Sequence, residues 1–398
     1  MKTRIVGIYN WHDANYCVFE NGTLIEHSEL ERYIRLKETP GDSLKYLKEV
    51  YLEKNNLTIN DIDKFVSVLP DTNLCSSGKE HVFDTHNTVS KDDIIFYPHH
   101  LCHAAHAYYS SKFNDSYVLS IDSAGLEDDG RAISVGGYIG TGNKLKKVFD
   151  ISSDVFSLGN LWGKCTRYIF KLQAGYPMGH QAGSVMAMAA MGDYKKYYGD
   201  FKKMASSEFN FVKFNPMSHA RGVYTQPEDD NIHPYLDKYR KIAEQDEQEK
   251  FNMASSLQRV TEDLISQLVS RLVFESKKQG FISNNICFSG GVSLNSVSMG
   301  KIVPFSHKAS GEATVNIDNI FIPPVPYDGG MTIGACQYHW FNVLGNKKTN
   351  SFVSPYLGEV YSLKEVSAAI DNNKDRLAVR NDVALSECVD LIVDDKIV

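Results

Sequence analysis

No run of about 18 apolar residues occurs in the 398 residues, so no segment reads as a membrane-spanning helix. A secretory leader is not expected either. Met1-Lys2-Thr3-Arg4 is basic enough, but the apolar stretch behind it stops at Asn10-Trp11-His12. No Lys/Arg run is long enough to track a phosphate backbone, and the net charge is −7. Nucleic acid is therefore a poor default partner, and a small-molecule substrate is expected. The seven cysteines (Cys17, Cys75, Cys102, Cys165, Cys287, Cys336, Cys388) form no CxxC pair. An odd, dispersed set reads as reduced, mostly buried thiols and a cytoplasmic home. There is no internal sequence repeat and no low-complexity tract.

What is present has ordinary globular composition, and its length implies two to three domain-sized units. Residues 5–9 read as a strand. Residues 14–19 and 23–27 flank Asn21-Gly22, a two-residue hairpin signal. Leu44, Tyr46, Leu47, Val50 and Tyr51 give 43–55 the spacing of an amphipathic helix. Further strands are expected at 64–69, 94–97, 117–121 and 132–139. This alternation implies an α/β layer architecture. Residues 193–250 are polar and charged, with Pro216, Pro227 and Pro234 among them, and read as a surface excursion with short helices. A long helix follows over 248–278, carried by Met253, Leu257, Val260, Leu264, Leu268 and Leu272. Strands at 286–288 and 320–322 bracket a glycine turn and a Pro-rich loop. Residues 345–356 read as a linker, and the last 40 or so begin a helix and then a strand at 391–392.

The most informative segment is Pro98-His99-His100-Leu101-Cys102-His103-Ala104-Ala105-His106. On a helix, His99 and His103 share a face and present two imidazoles to one point. His106, three residues on, could be a third neighbour. The bland alternative is a buried helix with hydrogen-bonded histidines, but four His in eight residues is a heavy load for a core. Asp122 ends an apolar strand before Ser123-Ala124-Gly125, and Asp328 lies in the loop Pro323-Pro324-Val325-Pro326-Tyr327-Asp328-Gly329-Gly330. Either Asp could serve only as a turn residue. Two His with two Asp suit a borderline divalent ion such as Fe(II), Zn or Mn. Ser289-Gly290-Gly291-Val292-Ser293-Leu294-Asn295 is a glycine turn of the kind that lets backbone N–H groups approach phosphate, a weak signal alone. Gly175-Tyr176-Pro177-Met178-Gly179-His180-Gln181-Ala182-Gly183-Ser184 is a second glycine-spaced loop. The bland reading of His12-Asp13 and of Glu31-Arg32-Tyr33-Ile34-Arg35-Leu36-Lys37 is a loop histidine and a solvated basic face.

Taken in order, these motifs resemble the NodU/CmcH-type O-carbamoyltransferase family, whose members place carbamoyl groups on antibiotics, sugars and similar natural products. The resemblance runs from Ile5 nearly to the end of the chain. It implies an actin-like α/β fold of two ribonuclease-H-type subdomains with a cleft, here 1–170 and 171–350, followed by 351–398 as a linker and the start of a YrdC-like domain. This part is also similar to the enzyme that transfers threonylcarbamoyl to tRNA. The resemblance implies a metal held by His99, His103, Asp122 and Asp328. It places Gly290 and Gly291, with Gly183, Ser184 and Asn295, at the nucleotide, and His12 and Lys37 near a carbamoyl-adenylate.

Three departures stand out. The family has Lys where Ser184 stands, Glu where Leu30 stands, and His in the tract after Lys37. The YrdC-like domain, which makes carbamoyl-adenylate from carbamoyl phosphate and ATP, is largely absent from these residues. The expectation is that the chain alone lacks that half-reaction, and that it is either a fragment of a longer protein or served by a YrdC-like domain in trans. The implied reaction is attack of a small-molecule hydroxyl on carbamoyl-adenylate, with His12 as base and Lys37 offsetting phosphate charge. A homodimer is compatible with the family. The rivals are a tRNA threonylcarbamoyl-transfer subunit, a non-catalytic nucleotide-binding scaffold and a metal-dependent hydrolase.

Overall fold

The computed structural model describes residues 2–69, 89, 93–172, 181–205, 234–302, 316–349, 361–380, 382–394 and 396. The chain divides into two compact units, Met1–Leu357 and Gly358–Val398.

The first unit is built on two five-stranded sheets. In the first, β1 (Arg4–Tyr9), β2 (Asn15–Glu20) and β3 (Thr23–Glu29) form an antiparallel meander. β4 (Lys64–Val68) and β5 (Ile94–Tyr97) then add parallel to β1. The order is 3-2-1-4-5. In the second sheet β6 (Asp115–Leu126), β7 (Ala132–Thr141) and β8 (Lys144–Ser152) repeat the meander. β9 (Asn285–Ser289) and β10 (Asn319–Phe321) repeat the parallel addition, giving 8-7-6-9-10. Two sheets of identical strand order constitute the duplicated, actin-like fold. The division expected at residue 170 does not separate the sheets, because β6–β8 lie before it and share a sheet with β9 and β10.

Two helices lie between the sheets. His99–Ser110 follows Pro98 and is buried at every position but Leu101. It touches β6, β7 and β9 on one side and the helix Met331–Gln337 on the other. Met331–Gln337 in turn rests on β1, β2 and β4. Small residues permit this close approach. A Cβ at Gly334 would lie 1.9 Å from the Cys102 carbonyl oxygen. Tyr108 and Tyr109 fill the remaining space, and their hydroxyls donate to the carbonyls of Asn114, Gly142 and Asn143. Leaving such a buried hydroxyl unmatched would cost about 1–3 kcal/mol.

Several expectations change on contact with the structure. Asp122 does not end its strand. β6 runs on to Leu126, and its pairing with β7 breaks register between Ile121 and Gly125, so Asp122 sits in a bulge that turns its side chain out of the ladder. The 193–250 excursion is mainly helical where described, but it is not all surface. Phe201, Met204, Leu236 and Tyr239 enter the largest core alongside the long helix Glu247–Lys278. Sparse apolar residues on polar helices suffice for that when they share one face. In the second unit, 391–392 is helical, within Leu385–Val393. Leu385, Cys388, Val389 and Ile392 recur with helical period, which a two-residue apolar run conceals. The first helix there, Leu363–Asn372, begins with a Ser362/Glu365 capping box.

Candidate metal centre and adjoining cavity

The helix His99–Ser110, the β6 bulge and the loop turn Asp328–Gly330 bring four donors to one point. His99 and His103 Nε2 are 3.1 Å apart. Asp122 Oδ2 lies 3.1 Å from His103 Nε2 and 3.5 Å from His99 Nε2. Asp328 Oδ1 lies 3.3 and 3.8 Å from the same two nitrogens. One donor atom from each residue falls within 4.8 Å of all the others. An ion bound at about 2.0–2.2 Å to each donor separates neighbouring donors by roughly 3.0–3.5 Å, so the set fits a divalent metal. It is also borderline in hardness, two imidazoles with two carboxylates.

The electrostatics agree with a poised cation site. Burial alone would raise Asp122, but His103 and His99 hold its carboxyl well below the usual range. Asp328 is likewise lowered against burial, by His99, His12 and His103. Burial alone would lower His103, yet its hydrogen bonds to Asp122 and Asp328 push it up to about 9. Without an ion, protonated imidazoles balance the two carboxylates, a charge that a bound divalent cation would supply instead. His103 Nδ1 is buried without a hydrogen-bond partner, so this ring is oriented through Nε2 alone. His100 is structural: its Nε2 donates to the Ile133 carbonyl and its Nδ1 accepts from Ser120 Oγ. His106 lies outside the donor cluster, and its Nδ1 is 3.2 Å from Ser110 Oγ.

His12 borders the cluster. Its Nδ1 is 2.8 Å from Asp13 Oδ2 and its Nε2 is 3.4 Å from Asp328 Oδ2. Burial lowers it, but Asp328 and then Asp13 raise it to about 9. Asp13 holds a positive φ of 57°, a conformation uncommon for a non-glycine residue. Tyr9 also reaches Asp328, its hydroxyl donating to Oδ2 at 3.3 Å. Lys37 is not brought to the donors. Its ammonium binds Glu31 Oε1 at 2.7 Å, because left-handed turns at Arg35 and Glu38 fold the segment back over the Glu31 carboxylate.

A cavity of about 340 Å³ opens beside the cluster. Asp122, Gly183, Gly291 and Asn295 line it, together with apolar Trp162, Met186, Val292 and Leu294. Gly290 does not line it but makes its wall possible. It has φ of 87°, and a Cβ there would lie 2.2 Å from the Ile121 carbonyl oxygen. Asn295 caps the helix Ser296–Gly300 and exchanges amide hydrogen bonds with Gln258. Its amide is thus committed to the wall. Ser184 faces outward on the helix Ala182–Ala189, away from the lining. Residues 173–180 of the second glycine loop lie outside the described residues. Sequence reasoning missed Gly159, Trp162 and Gly163 on this wall. Their signal was two glycines four apart, and Gly159 lets its helix approach β6, where a Cβ would lie 2.7 Å from the Ser123 nitrogen.

A family model described as Carbamoyltransferase N-terminus matches residues 2–337. The chain belongs to this carbamoyltransferase family. This chain is 26% identical over 382 residues to an uncharacterized protein of Synechocystis sp., a match covering 89% of this chain and 56% of that one. It is also similar to the solved structure of T. kodakarensis HypF, with TM-score 0.47 and 13% identity, covering 88% of this chain and 49% of that chain. Full-length HypF in its phosphate- and nucleotide-bound form gives 0.47 and 12%, covering 86% and 47%. The chain spans little more than half the length of the curated relative it matches. Among the described residues, no helix is long and apolar enough to cross a membrane.

Proposed function

We propose that this chain transfers a carbamoyl group from a carbamoyl-adenylate to the hydroxyl of a small molecule such as a sugar, nucleoside or antibiotic. One observation carries the reading: Asp122 belongs both to the donor cluster and to the cavity wall. A nucleotide in the cavity would thus lie one side chain from the metal donors. The mostly apolar lining suits a base, and the cluster side suits a phosphate or acyl group.

His99, His103, Asp122 and Asp328 would hold the metal, Fe(II) in the first instance, with Zn or Mn as alternatives. Such an ion, when bound, supplies Lewis acidity toward the carbamoyl oxygen or the adenylate phosphate. The acceptor oxygen attacks the carbamoyl carbon, the bond from that carbon to the phosphate oxygen breaks, and AMP leaves with the electron pair. His12 Nε2 receives the hydroxyl proton while Asp13 holds Nδ1. With Asp328 serving as a metal ligand, its carboxylate would raise His12 less, which would favour a neutral Nε2 able to accept the proton. The Lys37 ammonium is two-thirds exposed. An ion pair with one exposed partner is worth about 1 kcal/mol or less, so Lys37 can exchange Glu31 for a leaving phosphate. Activation of carbamoyl phosphate with ATP would fall to a YrdC-like domain, whose beginning we assign to 351–398. Ser184 and the Lys37–Glu31 pair favour a second reading, a nucleotide-binding scaffold without chemistry.

The test supplies [14C]carbamoyl phosphate, ATP and a separate YrdC-like domain, with a panel of sugars and nucleosides. Label on an acceptor with matching AMP supports the reading, and the label should fall at least tenfold in His12→Asn. Unchanged turnover in that variant would remove His12 as base. Carbamate release without an acceptor indicates a hydrolase, and nucleotide binding without either product indicates the scaffold.

A further inference from the structure

The loop that carries Asp328 belongs to no sheet, yet Asp328 must meet three donors from other elements. Its path begins under β9, where the Gly290 N–H and Ser289 Oγ both donate to the Pro326 carbonyl. Beyond that point the loop is held from the first sheet. His27 Nε2 lies 2.7 Å from the Gly329 carbonyl and must be the donor. Asn15 Nδ2 donates to the Asp328 carbonyl at 3.3 Å, and its Oδ1 accepts from Thr332 Oγ1. The Tyr327 hydroxyl donates to Glu29 Oε1. A Cβ at Gly329 would sit 2.3 Å from that same Glu29 oxygen, so only glycine lets the loop lie this close.

These contacts share an origin in strand geometry. Asn15 pairs with Glu29, and Cys17 with His27, across β2 and β3. Alternation with period two puts all four side chains on one face of the hairpin. That face covers the loop from Tyr327 to Thr332 and reaches the next helix, where Cys17 Sγ lies 3.5 Å from Cys336 Sγ. Burial holds His27 down to about 4, so it remains a neutral donor across the working range.

We propose that the β2–β3 hairpin sets the position of the Asp328 carboxylate for the metal, with His27 as its principal positioning residue. The inference rests on the metal reading above and assigns the hairpin a part in it. His27 touches none of the four donors. It acts through the backbone of Gly329, and the hairpin register thereby becomes part of the metal geometry.

The test measures Co(II) binding to the full chain by competition with a chelator and by the ion's visible absorption, in the parent, His27→Ala, His27→Gln and His103→Ala. Outer partners of metal ligands typically contribute tenfold to a hundredfold in affinity. His27→Ala should bind Co(II) about tenfold or more weakly, with an altered absorption spectrum. His27→Gln, which keeps an amide donor near Nε2, should recover part of the affinity and the parent spectrum. His103→Ala should bind no Co(II) at this site. Parent-like affinity and spectrum in His27→Ala would overturn the proposal while leaving the metal reading intact. A parent that binds no Co(II) would overturn both. Because the spectrum reports only folded, loaded protein, a change in stability alone would not produce the predicted shift.

Discussion

At the residue scale, the metal-free cluster stores charge that titrates. His12 and His103 have folded values of about 9, against about 6.5 for an unfolded histidine. The protonated forms are therefore favoured by folding. Their stabilisation is fully present below pH about 6.5 and is lost as pH rises through about 9. Melting temperature of the metal-free chain should fall across that window. In metal-loaded protein the His103 share should vanish, since a ligating imidazole carries no second proton. Identical pH slopes with and without metal would contradict the assignment. A second residue-scale outcome concerns Gly183, which has nothing within 4 Å of an added Cβ. Gly183→Leu should fold with a melting temperature near the parent's, yet weaken AMP binding by tenfold or more, as read by calorimetry. Undiminished affinity would place the nucleotide elsewhere.

At the element scale, the site depends on how closely the two interlayer helices approach. Gly334→Ala puts a methyl against the Cys102 carbonyl, where backbone must move. A loss of about 1–3 kcal/mol is expected in denaturant unfolding, as for other overpacked cores. Elements with a clear period were legible in the sequence: β5, the long helix, and the hairpin around Asn21-Gly22. The i, i+4 pairing of His99 and His103 was legible for the same reason. What periodicity could not supply was long-range geometry. Asp122 was placed at a strand end because a bulge needs the partner strand to be seen. The pairing of Lys37 with Glu31 was equally hidden, because it depends on positive φ at two non-glycine residues. The partners of the Asp328 loop, Asn15 and His27, lie about 300 residues away in sequence. β8 escaped notice because its exposed lysines mask the alternation.

At the scale of the whole molecule, the duplication is a property of topology alone. The two sheets share a strand order but no detectable sequence repeat, so only the ordered motifs pointed to an actin-like fold. The net charge of −7 bears on the rival tRNA reading. The chain should show no saturable tRNA binding at physiological salt in a filter or mobility assay, and salt-dependent micromolar binding would revive that rival. The central claim is that four residues from one interlayer helix, a strand bulge and a loop hold one metal. The most direct measurement is metal content after anaerobic purification of the parent and of His103→Ala. The account predicts a single Fe, Zn or Mn per parent chain and its loss in the variant. No metal in either, even after reconstitution, would contradict it.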